Sequence, residues 1–122
     1  IIDDTYNANP CSFKLAIDVL KDFEGKKILV IGDMAELGED SLIYHQELAR
    51  SIKEAKIDIT LAIGKYSKEL IKLLEEENVW FENKEDLINH LISCMKNTTI
   101  LVKGSRSMKM EEVVKKIIKI VD

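Results

Sequence analysis

Two carboxylates and two side-chain amides fall within seven residues near the start of the chain, in Asp3-Asp4-Thr5-Tyr6-Asn7-Ala8-Asn9, directly ahead of Pro10. Carboxylates accept hydrogen bonds from ribose hydroxyls, and an Asn amide can both donate to and accept from a base edge. The same residue types also serve a plainer end, since Asp and Asn side chains bond nearby backbone and hold turns. Both readings stand for Asp4 and Asn7. A second cluster, Val102-Lys103-Gly104-Ser105-Arg106-Ser107, sets a cation, a flexible glycine, two hydroxyls and a guanidinium side by side. At the N-terminus of a following helix, these groups and free backbone N–H donors would form an anion site for a carboxylate or phosphate. The plainer alternative makes Ser107 a helix cap and Arg106 a surface charge.

A third loop, Gly32-Asp33-Met34-Ala35-Glu36-Leu37-Gly38-Glu39-Asp40, has glycine only at 32 and 38. A dinucleotide fingerprint needs G-x-G-x-x-G so that the backbone can approach a pyrophosphate, so nicotinamide and flavin chemistry are disfavoured. Asp33 and Glu36 either face a ligand from this loop or are solvated. His45, in the first turns of the next helix, reads as structural more readily than as catalytic. The chain has no G-x-x-x-x-G-K-[ST] loop, no cluster with metal-ligand spacing and no Ser/His/Asp or Cys/His set. No residue is assigned as catalytic, and no metal site is assigned.

Loops of this kind need strands and helices to hold them. Residues 1–3 form the tail of a first strand. Residues 12–23 carry a helical stripe of Phe13, Leu15, Ala16, Val19, Leu20 and Phe23, stopped by Gly25. The continuous apolar run 27–31 has the signature of a strand buried on both faces. Ser41 is a plausible cap for a helix running to residue 56. Residues 60–63 make a third strand ending at Gly64, followed by a helix over 67–77 and a short strand over 79–81. A helix over 84–95, a strand over 99–102 and a closing helix over 108–121 complete the pattern. Strands alternating with helices predict an α/β fold, a three-layer αβα Rossmann-like domain over residues 1–122 with a mostly parallel sheet of five or six strands. In such sheets the loops at strand carboxyl ends line one edge, where ligands bind. Loops 3–9, 32–38, 64–67 and 103–107 are therefore expected to converge.

At 122 residues with 46% hydrophobic content, the chain is one domain with a real core. A net charge of −4, without a Lys/Arg block interleaved with aromatics, disfavours nucleic-acid binding. No apolar run approaches the ~18–20 residues that a membrane span requires, and no signal peptide is apparent. Cys11 and Cys94 are far apart without metal spacing, which suits reduced thiols and a cytoplasmic location. A chain that opens on Ile1 and the end of a strand reads as a piece of something larger.

DDTYNANP, GDMAELGE and LVKGSRSMKMEEVV, in that order and each after a strand, resemble the C-terminal domain of the Mur ligases. The resemblance runs from end to end and is nearest the branch that adds D-alanyl-D-alanine to UDP-N-acetylmuramoyl-tripeptide. It implies a three-domain cytoplasmic enzyme of bacterial peptidoglycan synthesis. An N-terminal domain would bind the UDP-linked peptide, a central domain would hold ATP and Mg2+ on a P-loop, and this chain would close over both. The reaction implied is phosphorylation of the peptide's terminal carboxylate by ATP, then attack of the dipeptide amine on the acyl phosphate. Residue by residue, the matching motifs imply nucleotide binding by Asp4, Tyr6, Asn7 and Asn9, and substrate binding by Lys103, Ser105 and Arg106. Asp33, Glu36 and His45 match the family's pattern without an assigned role. Without the other two domains, the chain is expected to be inactive.

Two other readings compete. A phospho-receiver signalling domain also has acids after its first strand and a Lys after its fifth, which Asp3, Asp4 and Lys103 satisfy. Its acceptor carboxylate should end the third strand, where this chain has Ile63-Gly64-Lys65. An interaction module without a ligand site is the second.

Overall fold

A strand that is apolar on both faces must lie between two layers, and helices with one apolar stripe supply those layers. The computed structural model describes residues 1–121 and builds this arrangement. The strands are β1 (Ile2–Asp4), β2 (Lys26–Ile31), β3 (Ile59–Ile63), β4 (Val79–Phe81) and β5 (Thr98–Lys103). The helices are α1 (Pro10–Lys21), α2 (Ser41–Glu54), α3 (Lys65–Ile71), α4 (Lys84–Cys94) and α5 (Glu111–Val121), with 3-10 turns at Gly38–Asp40 and Arg106–Met108. All strand pairings are parallel, in the order β1-β5-β2-β3-β4. That differs from the 2-1-3-4-5 order shared by flavodoxin-like and receiver folds.

Side chains alternate across the sheet. Leu29, Ile31, Ala62 and Leu101 meet Phe13, Leu20, Leu48, Ile52 and Leu70 from α1, α2 and α3. Ile28, Val30, Leu61, Ile100 and Val102 meet Leu87, Leu91, Val113 and Ile117 from α4 and α5. The expected three-layer αβα domain is therefore observed, with five strands. No helix among the described residues is long and apolar enough to cross a membrane.

The strand order positions the site. The last strand in sequence, β5, lies between the first two. Chain leaving β1 and β2 enters helices on one face, whereas chain leaving β5 leads to α5 on the other. Where neighbouring strands send their connections to opposite faces, a crevice opens at their carboxyl ends. Here β5 has that relation to both neighbours. The backbones at this point are close: a Cβ on Gly104 would lie 2.6 Å from Met110 Cγ and 3.2 Å from the Gly32 backbone.

One helix is shorter than its sequence predicts. α3 ends at Ile71 instead of residue 77, and the chain passes into turns closed by Leu73 N–H to Leu70 and Leu74 N–H to Ile71. Asn78 anchors the chain beyond the break. Its amide donates to the Glu75 carbonyl at 3.0 Å, and its oxygen accepts the Thr60 N–H of β3 at 2.7 Å.

Candidate functional site

The first loop is built by its own polar side chains. Asp3 Oδ1 accepts from the Thr5 hydroxyl at 2.6 Å and the Thr5 N–H at 3.2 Å, which turns the chain out of β1. Asn9 is the N-cap of α1: its side chain accepts the Ser12 N–H at 2.9 Å, and the Ser12 hydroxyl accepts the Asn9 N–H at 3.0 Å. That reciprocal pair is a capping box, with Pro10 at the first helical position. Between these anchors Ala8 is buried, whereas Tyr6 and Asn7 are exposed. Below the loop, the Lys103 ammonium lies 3.0 Å from Asp4 Oδ2 and donates to the Asn7 carbonyl at 3.0 Å.

The second loop is tied to the third by main chain. Gly32 N–H donates to the Lys103 carbonyl at 2.8 Å, and Ser105 N–H donates to the Asp33 carbonyl at 2.9 Å. The Asp33 carboxylate turns away from both and accepts the Tyr66 and Ser67 N–H groups at 3.1 and 2.8 Å, at the first turn of α3. His45 is buried and clamps the loop: its Nε2 accepts the Met34 N–H at 3.1 Å, and Nδ1 donates to the Ser41 carbonyl at 2.6 Å. A backbone N–H can only donate, so Nε2 carries no proton and the ring is neutral in this arrangement. Ser41 is not the cap of α2. Asp40, the last residue of the 3-10 turn, occupies that position without a side-chain bond, and Ser41 is the buried first residue.

The third loop also differs from its expected form. Ser105 and Arg106 lead into the 3-10 turn Arg106–Met108, Lys109 follows in the left-handed region at φ 52°, and α5 starts only at Glu111. Ser107 therefore does not cap α5, and the loop does not sit on that helix's N-terminus. The Ser105 and Ser107 hydroxyls face each other at 3.0 Å. The Arg106 guanidinium lies over the Tyr6 ring, 5.3 Å from its centroid, and bridges the first and third loops.

These three loops enclose a cleft of about 630 Å3. Asn7 and Asn9 line it from the first loop, Glu36 and Leu37 from the second, and Arg106 and Ser107 from the third. Of the residues singled out by sequence, Asn7, Asn9, Glu36 and Arg106 thus share one wall-to-wall space. Tyr6 reaches it through Arg106, and Ser105 through Ser107. Asp4 and Lys103 lie beneath the first loop, and Asp33 and His45 face the protein. The fourth loop, 64–67, does not join, because Asp33 occupies its N–H groups and the Trp80 indole N–H holds the Gly64 carbonyl at 2.8 Å. Ala8, Ala35 and Leu37 were not singled out as lining residues. Their signal was the interleaving of apolar residues with polar ones in Asn-Ala-Asn and Ala-Glu-Leu.

The cleft presents amides, a hydroxyl, one guanidinium and one carboxylate, a set suited to binding more than to bond-making. Among the described residues no three His, Cys, Asp or Glu side chains gather as metal ligands. The groups with displaced pKa values are remote: the Lys84 ammonium holds Glu112 below its usual value, and burial raises Cys94.

The sequence profile described as "Mur ligase, glutamate ligase domain" matches residues 1–106. A UDP-N-acetylmuramoyl-tripeptide–D-alanyl-D-alanine ligase from Buchnera aphidicola subsp. Acyrthosiphon pisum is 47% identical over 98% of this chain and 27% of its own length. MurF from Acinetobacter baumannii superposes with a TM-score of 0.86 and 30% identity, over 94% of this chain and 26% of that one. The MurF ligase from Thermotoga maritima, crystallised in complex with ADP, has a TM-score of 0.79 and 29% identity over 91% of this chain and 26% of its own. The chain therefore spans about a quarter of the length of the relatives it matches.

Proposed function

The chain belongs to the Mur ligase family, and we propose that it is the C-terminal domain of an ATP-dependent ligase joining D-alanyl-D-alanine to UDP-N-acetylmuramoyl-tripeptide in peptidoglycan synthesis. Support comes chiefly from the cleft, in which three motif loops from separate parts of the chain meet at the switch point of a parallel sheet. In this proposal an N-terminal domain binds the UDP-linked peptide and a central domain holds most of the nucleotide in the cytoplasm. Mg2+ would neutralise phosphate charge there; this chain gathers no ligand set of its own among the described residues.

The reaction needs positioning and electrostatic stabilisation more than covalent help. The peptide's terminal carboxylate becomes an acyl phosphate, and the dipeptide amine then displaces phosphate. In the proposed division of work, Tyr6, Asn7 and Asn9 face the ribose and base of ATP. Arg106 holds the dipeptide carboxylate, with Ser105 and Ser107 beside it. Arg106 and Glu36 give the cleft one charge of each sign, which complements the two ends of a zwitterionic dipeptide.

The test is Arg106→Ala in the full-length ligase. Losing a charge-assisted hydrogen bond removes about 1.5–3 kcal/mol, so KM for D-alanyl-D-alanine should rise roughly ten- to over a hundredfold. KM for ATP should stay near its original value. A selective rise in KM for ATP would assign this loop to the nucleotide and overturn the division.

A further inference from the structure

We propose that Lys103 is a positioning residue for the nucleotide-facing loop and not a ligand of the dipeptide; the inference rests on the function proposed above. The KGSRS motif offers two cations, and the structure treats them in opposite ways. Arg106 is exposed and lines the cleft. Lys103 is 2% exposed, at the end of β5.

Three partners surround the Lys103 ammonium. Asp4 Oδ2 is 3.0 Å away, the Asn7 carbonyl accepts at 3.0 Å, and the Phe13 ring centroid lies 5.6 Å off. The strand register produces this grouping, since Asp4 and Lys103 are Cα partners in the β1–β5 ladder. Phe13 is fully buried in the first turn of α1. To meet an incoming carboxylate, Lys103 would have to leave its buried position and give up both the half-exposed Asp4 carboxylate and the Asn7 carbonyl. A compact ammonium with rotatable donors suits a site where the partners lie in different directions, as a planar guanidinium does not.

The consequence falls on the first loop. Lys103 fixes the Asn7 peptide from below through its carbonyl. The Asn7 side-chain oxygen accepts the Ala8 N–H at 2.9 Å, so the amide is oriented as well. The capping box then fixes Asn9 two residues on. Lys103 thus holds the peptide of one cleft-lining residue, next to the separately capped Asn9, although it does not line the cleft itself.

The experiment uses the full-length ligase with Lys103→Met and, separately, Asp4→Asn. It measures KM for both substrates, ADP affinity, and hydrogen–deuterium exchange of peptides covering residues 4–9. Loss of a charge-assisted bond at the loop should raise KM for ATP and Kd for ADP by about tenfold or more, with KM for the dipeptide nearly unchanged. Exchange in residues 5–9 should accelerate in both variants. A selective rise in dipeptide KM with unaltered exchange would overturn the proposal, as would lowered Tm with neither affinity changed. If Lys103→Met does not fold, Asp4→Asn carries the same test. A wild-type protein that fails to ligate D-alanyl-D-alanine would overturn the reaction assigned above, while exchange and ADP affinity still decide the role of Lys103.

Discussion

Gly64 adopts φ +116°, and a Cβ placed there would lie 2.5 Å from the Asp33 carboxylate. That carboxylate holds two N–H groups of α3 and cannot move aside without releasing them. Gly64→Ala should therefore lower stability by more than the ~1–3 kcal/mol of one strained backbone position, read as a fall in the urea midpoint. His45→Leu leaves the buried Met34 N–H without its acceptor. The expected loss is about 1–3 kcal/mol by the same measurement. Asp33 and His45 both belong to the second motif, and both work for the fold. Sequence placed Asp33 on a loop and His45 on the helix after it but not the direction of either side chain, because the partners of Asp33 lie 33 and 34 positions away. Asn7, Asn9 and Arg106 were legible as residues that could line a cleft because polar loops at strand carboxyl ends gather along one edge of a parallel sheet.

Asn9 caps α1 and, in the proposed function, also meets the nucleotide, and the two duties can be separated. Ser is as good an N-cap as Asn, whereas Ala costs about 1 kcal/mol. Asn9→Ser should keep the thermal midpoint, and Asn9→Ala should lower it. Both should raise KM for ATP in the full-length ligase, since both remove the amide. A KM change confined to Asn9→Ala would leave capping as the residue's only duty. Between α4 and α5, Lys84 donates to Glu112 at 2.6 Å and lowers its pKa. A depressed carboxylate adds stability above its unfolded pKa and loses it as pH falls through the folded one. Lys84→Gln should raise the Glu112 pKa in an NMR titration and flatten stability in that acid range. The strands were readable because apolar runs such as residues 28–31 have one plausible environment. Helix ends were not. After α3 ends at Ile71, Asn78 ties the chain to β3, and before α5 Lys109 makes a left-handed turn; neither signal is local to a periodic stripe.

At the scale of the whole chain, the cleft has binding groups without phosphate-cradling glycines or a ligand set for Mg2+ among the described residues. The purified 122-residue chain should release no phosphate from ATP above a blank, with or without D-alanyl-D-alanine; steady turnover would overturn the proposed division among domains. The layers and the parallel sheet were legible from alternation, but the strand order was not, since periodicity says nothing about which strands are neighbours. That order has a consequence for biosynthesis. Among the described residues β1 pairs with β5 alone, with Ile2 opposite Leu101. During translation, β1 and one edge of β2 stay unpaired until residues 98–103 leave the ribosome, and pairings so distant in sequence form slowly. Open apolar edges invite association with other nascent chains. A stalled chain ending before residue 98 should therefore need chaperone protection, and one released just past α5 should not.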